Sequence, residues 1–109
     1  MTYAQKQEIK RKALFKNLDN RLEKARYECY REIQAQGGLF ENIGAKQERE
    51  LIDFISSLAY LNLPYHFIRE LERRIKAFLN SLERLGDEDL PAINRFIASY
   101  ERKNALKVA

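Results

Sequence analysis

His66 and Cys29 are the only histidine and cysteine among 109 residues, so a Cys–His nucleophilic couple would need both. Cys29 falls on the apolar stripe of a predicted helix, where a cysteine packs as a small hydrophobe. A reactive thiol needs exposure and cationic neighbours instead. His66 stands in the first turn of another predicted helix, a position that suits a surface or packing role better than proton transfer. Asp87-Glu88-Asp89 offers carboxylates to a hard cation but lacks the spaced ligands and loop glycine of a calcium-binding loop. Three acids directly before a proline-led helix are better explained as a cap that complements the helix dipole. No P-loop, dinucleotide fingerprint, zinc-ligand spacing or Gly-x-Ser-x-Gly occurs. The chain reads as non-enzymatic, with no metal, no cofactor and no evident small-molecule substrate.

Two rows of basic residues offer a different chemistry. Lys12, Lys16, Asn20, Lys24, Tyr27 and Arg31 recur at three- and four-residue spacing, opposite the apolar stripe of the first helix. Arg69, Arg73, Lys76, Asn80 and Arg84 repeat the pattern on the third. A row of cations without acids on its line can follow a phosphate backbone, and Tyr27 can stack on an unpaired base. Arg69 and Arg73 have the fork geometry for bidentate phosphate contacts. The plainer account is a mixed charged face that keeps a helix in water, since Glu8, Glu23, Glu28, Glu70, Glu72 and Glu83 lie nearby. No recognition-helix motif is present, so the nucleic-acid version is backbone tracking rather than base reading.

The elements that must carry these rows follow from composition and periodicity. At 45% hydrophobic and 11% aromatic residues the chain is too apolar for disorder, and four Gly and two Pro favour helices over a turn-rich β fold. Its length suits one domain, residues 1–109. Net charge is +4, and the excess lies mostly in residues 1–36, which hold nine Lys or Arg against five acids. A single cysteine and an N-terminus, MTYAQKQEIKRK, without an apolar core predict a cytoplasmic protein with neither disulfide nor secretory signal.

Phe15, Leu18, Leu22, Ala25, Cys29 and Ile33 form a nearly heptad stripe and predict a continuous helix over about 3–35. Asn17, Asp19 and Asn20 weaken its middle, and Asn20 with Glu23 offers an alternative capping box. Gly37-Gly38 should end it with a left-handed cap. Leu39, Phe40 and Ile43 make the connector 39–44 too apolar for open solvent, so it should fold onto the core. A second helix is expected over 45–61, with Glu48 and Glu50 near its positive end. Pro64 suits the first position of a third, which carries Ile68, Leu71, Ile75, Phe78, Leu82 and Leu85 up to a cap at Gly86. A fourth begins near Pro91 with Ile93, Phe96, Ile97 and Tyr100, and its tail 101–109 should fray.

The stretch LIDFISSLAYLNLPYHFI, residues 51–68, is no membrane span, because Pro64 divides it below spanning length. It joins the second helix to the third. Leu51, Phe54, Ile55, Leu58 and Leu61 supply one apolar face, which Ile52, Ala59 and Tyr60 widen. Such width means central burial or a second contact surface, with Ile52 and Tyr60 as interface candidates.

The expected fold is all-α, a bundle of about four helices with a long first helix and mostly antiparallel neighbours. The leading function is a small adaptor or assembly subunit, binding a protein partner or a second copy through apolar helix surface and touching nucleic-acid backbone through its basic faces. The alternatives are a dedicated RNA- or single-stranded-DNA-binding protein and an inhibitor of a larger enzyme.

Overall fold

A computed structural model describes the backbone of residues 1–108 and the side chains of residues 1–105. Among them the chain is helical without a strand: α1 (Tyr3–Ala35), α2 (Ala45–Ser57), α3 (Tyr65–Glu83) and α4 (Leu90–Val108). Single 3-10 turns at Leu58–Leu61 and Asp87–Asp89 follow α2 and precede α4. The expected all-α fold with a long first helix is the one found.

Local chemistry accounts for most of the boundaries. Thr2 and Gln5 form a capping box at the start of α1: Gln5 N donates to Thr2 Oγ1 at 3.2 Å, and Thr2 N donates to Gln5 Oε1 at 2.9 Å. The helix crosses Asn17–Asn20 without a break, so the internal capping box does not form. At its end the Gly38 amide reaches Ile33 O at 2.9 Å and the Gly37 amide reaches Gln34 O at 3.0 Å, a Schellman closure. Both glycines have positive φ, where an L side chain would be strained. The tail expected to fray instead continues α4 to Val108, and residue 109 lies outside the described residues.

Two boundaries differ from expectation. The second helix tightens after Ser57 into the 3-10 turn, and Asn62 at φ 49° then turns the chain toward α3. Gly86 does not cap α3, whose C-cap is Arg84. With φ −143° it is extended, and it opens the next turn. Its amide donates to Asp89 Oδ2 at 3.0 Å while its carbonyl accepts from Asp89 N at 3.0 Å.

Helix α1 is the hub, packing against α2, α3 and α4, whereas among the described residues α4 packs on no other α-helix than α1. Contacts Arg21–Phe54 and Glu28–Gln47 show α2 antiparallel to α1. Arg11–Glu70 and Asp19–Arg74 show α3 running in the same direction as α1. Gln34–Asn94, Tyr27–Tyr100 and Glu23–Lys103 show α4 antiparallel. The molecule measures 52 × 33 × 20 Å, so it is about two helix diameters thick. Leu18, Cys29, Ile33, Leu71 and Ile93 are almost fully buried between the layers. Phe40 and Ile43 of the connector pack against this core as expected, but Leu39 is 57% exposed. Gly44 sits where the connector meets both α1 and α3. A Cβ there would lie 2.9 Å from Leu82 Cδ1, and φ is +89°, so space and backbone both exclude a side chain.

Candidate protein-docking groove

Burial of Gln47, Leu51 and Phe54 orients α2, and burial of Leu71, Ile75, Phe78 and Leu82 orients α3. At about 100° per residue, that leaves Ile52 and Ile55 on the flank of α2 that faces α3. On α3 the matching flank carries Glu72, Lys76 and Leu79 beside Ile75. Together with Ser56 these residues line an open groove of about 330 Å3. Ile52 is 53% exposed. The connector 39–44 does not contribute to the lining, so that loop leaves the flank uncovered.

The other interface candidate goes elsewhere. Tyr60 is 79% exposed, yet it stands on the 3-10 turn and does not line the groove. Tighter winding of that turn takes it out of phase with Ile52, which an α-helical reading of 45–61 could not anticipate.

The α3 row runs just outside the groove. Arg69, Arg73, Lys76 and Arg84 are all exposed, and none forms an ion pair among the described residues. Lys76 belongs to both features, lining the groove and, with Arg69, Glu72 and Arg73, a basic depression beside it. The Arg69 guanidinium lies 5.7 Å over the ring of exposed Tyr65 and donates to its hydroxyl at 3.3 Å. Their helix neighbours Glu70 and Arg74 point the other way. Arg11 donates to Glu70 at 2.9 Å and Arg74 to Asp19 at 3.1 Å, tying α3 to α1.

On α1 the predicted row is divided. Lys12, Lys16 and Lys24 are exposed without an ion pair among the described residues. Tyr27 and Arg31 are instead engaged by α4. The Tyr27 ring stacks on Tyr100 at 4.4 Å, and its hydroxyl donates to Glu101 Oε1 at 2.7 Å. Arg31 pairs with the same carboxylate and donates to the Tyr27 hydroxyl at 3.2 Å. These hydrogen bonds, that from Tyr27 foremost, hold the Glu101 carboxyl below its ordinary range. Tyr100 thus occupies one face of the Tyr27 ring and closes that face to a nucleic-acid base.

The remaining chemical candidates have structural occupations. Cys29 is fully buried, and burial, with Glu32 and Glu28 nearby, pushes its thiol up to about 12. His66 is exposed and meets the Phe67 ring edge-on at 4.7 Å. Among the described residues no cluster of His, Cys, Asp and Glu is arranged for a metal, and no helix is long and apolar enough to cross a membrane.

One buried polar contact has no counterpart in the sequence reading. Gln47 is 1% exposed and its amide nitrogen donates to Glu28 Oε2 at 3.2 Å and Glu32 Oε1 at 3.5 Å, pinning α2 on α1. Its carboxylate partners lie 19 and 15 residues away, so no local pattern announces it.

No protein-family model, curated protein or solved structure matches this chain.

Proposed function

We propose that this chain is a non-enzymatic helical adaptor or assembly subunit that holds a protein partner in the α2/α3 groove. One observation carries the reading: two helices that already share a core leave Ile52 and Ile55 facing Ile75 and Leu79 across an open cleft. An aliphatic side chain such as Ile52 gains about 25 cal/mol for each square ångström of apolar surface it removes from water. Within the free chain it forgoes that gain, and a partner helix or loop would recover it.

A second reading rests on the exposed, unpaired cations Arg69, Arg73, Lys76 and Arg84, which suit the backbone of RNA or single-stranded DNA. The adaptor reading is preferred because phosphate binding would leave the apolar cleft without an occupant.

Ile52→Glu tests the proposal. Because Ile52 is half exposed, the variant should keep its helicity by circular dichroism. At the centre of an interface the charge should cost about 2 kcal/mol or more, roughly a thirtyfold loss of affinity. Affinity capture from the native cell with both forms as bait should then retain at least one protein on wild type that the variant loses. An identical retained set, together with a saturable, salt-sensitive gel shift on single-stranded nucleic acid, would exclude the adaptor in favour of the second reading.

A further inference from the structure

Resting on the groove as a docking site, we infer that its occupant is an amphipathic helix of a partner protein with an acidic flank. Three features narrow the choice: the lining, the volume and the charge on one lip.

The lining is Ile52, Ile55, Ile75 and Leu79, with Ser56, Glu72 and Lys76 as its polar members. An extended peptide laid there would bring unpaired backbone amides and carbonyls against aliphatic side chains. A helix satisfies those groups internally, so it can enter an apolar cleft at no such cost. A volume of about 330 Å3 is a little over twice the ~150 Å3 cavity that accommodates one benzene. It has room for two large apolar side chains, such as a helix presents one turn apart at i and i+4.

Charge sets the flank. Lys76 forms part of the α3 lip, and Arg69 and Arg73 continue outward from it, with Glu72 as the acid among them. No ion pair of the described residues neutralises any of the three cations. Carboxylates along the partner helix would complete these pairs, and a basic flank would be repelled. A second copy of this chain is a poorer occupant: in a two-fold contact it presents the same surface, which carries one acid, Glu72, against Arg69, Arg73 and Lys76, and so supplies no acidic flank. Because Lys76 serves both the cleft and the row, one ligand that is apolar on one side and acidic on the next uses the whole surface.

The test is fluorescence anisotropy on the full chain with peptides of about four helical turns, comparable in length to α2. One carries Leu at i and i+4 with Glu along a flank, and the other carries Lys in place of Glu. The acidic peptide should bind saturably, with the basic one about tenfold weaker or worse. The combined Arg69→Ala, Arg73→Ala and Lys76→Ala variant should erase that preference, while Ile52→Glu should abolish binding of both. Ser56→Lys, on the exposed α2 lip, obstructs the same cleft and stands in if Ile52→Glu does not fold.

Equal binding of the two peptides, still lost with Ile52→Glu, overturns the acidic flank and leaves the groove reading intact. Binding that survives both Ile52→Glu and Ser56→Lys overturns the groove reading itself. No binding of the acidic peptide overturns the inference. So does a wild-type dimer in light scattering that Ile52→Glu dissociates, which would make a second copy the occupant. Oligothymidylate binding lost only in the triple variant, without acidic-peptide binding, gives the row to phosphate.

Discussion

The basic rows of α1 and α3 are near duplicates as sequence, and they have different environments in the fold. Each repeats a cation, or an uncharged Asn or Tyr, every three or four residues with no acid on the line. On α1, Arg31 meets Glu101, which lies 70 residues further along the chain, and Tyr27 is stacked beneath Tyr100. On α3, the row from Arg69 to Arg84 meets no acid of another helix among the described residues. The difference is topological: α4 folds back along the C-terminal half of α1 and, among the described residues, along no other helix. A periodic row therefore shows where cations line up on one helix. Whether they remain available depends on which helix lies alongside.

Loosening α4 is the largest way to break the contrast. Tyr30 is buried at the α1–α4 seam, with its ring edge-on to Phe96 at 5.2 Å. Tyr30→Ala should lower the unfolding free energy by about 2–4 kcal/mol, through a cavity and a lost aromatic pair. Urea titration followed by circular dichroism measures it. A cost below about 0.5 kcal/mol, the level of an exposed change, would mean that α4 does not seal this face of α1.

The same seam marks the limit of what periodicity discloses. Long-range order in the stripe from Phe15 to Ile33 is enough to place α1, and most of that stripe is buried, with Leu22 only partly so. Tyr30 and Phe67 are buried but lie off the predicted stripes; for Tyr30 the reason is that α1 meets three helices, so its buried arc is wider than a heptad seam. Half of the groove was legible: the excess width of α2 singled out Ile52. Its other wall was not, since Ile75 and Leu79 become its neighbours only once α2 and α3 pair. Glu101 as the partner of Arg31 and Tyr27 was equally hidden, because nothing local relates the fourth helix to the first.

Proton chemistry sharpens the contrast at smaller amplitude. Glu101 has an ordinary carboxyl value of 4.5 that hydrogen bonds from Tyr27 and then Arg31 pull down in the folded chain. A carboxyl depressed by folding contributes stability that is present above that ordinary value and lost as pH falls through the folded one. The stability difference between wild type and Glu101→Gln should therefore shrink as pH drops below 4.5. Tyr27→Phe keeps the stacking on Tyr100 but removes the principal hydrogen bond, so it should be mildly destabilising near neutral pH. It should also move the Glu101 titration, followed by carboxyl NMR shifts, up toward the ordinary value. An unmoved titration would show that the hydroxyl is not what holds this carboxylate.

The smallest expected effect is one of sign. Arg73 has Arg69 four residues before it and Lys76 three residues after, and like charges at those spacings destabilise a helix by about 0.2–0.5 kcal/mol per pair. Glu70, three residues before it, is already engaged by Arg11 at 2.9 Å and by Arg74 at 3.7 Å. Arg73→Ala thus removes repulsion, sacrifices no ion pair among the described residues and installs the best helix former. It should be neutral or stabilising by up to about 1 kcal/mol if both pairs are relieved in full, with any gain larger at low salt, where screening is weakest. Arg31→Ala removes the partner of Glu101 and a donor to Tyr27, so it should be destabilising under the same conditions. Paired thermal melts of the two variants at low and moderate salt read the signs directly. Destabilisation by Arg73→Ala that grows as salt is diluted would mean that the α3 row is held by a carboxylate after all, and the contrast between the two rows would fail.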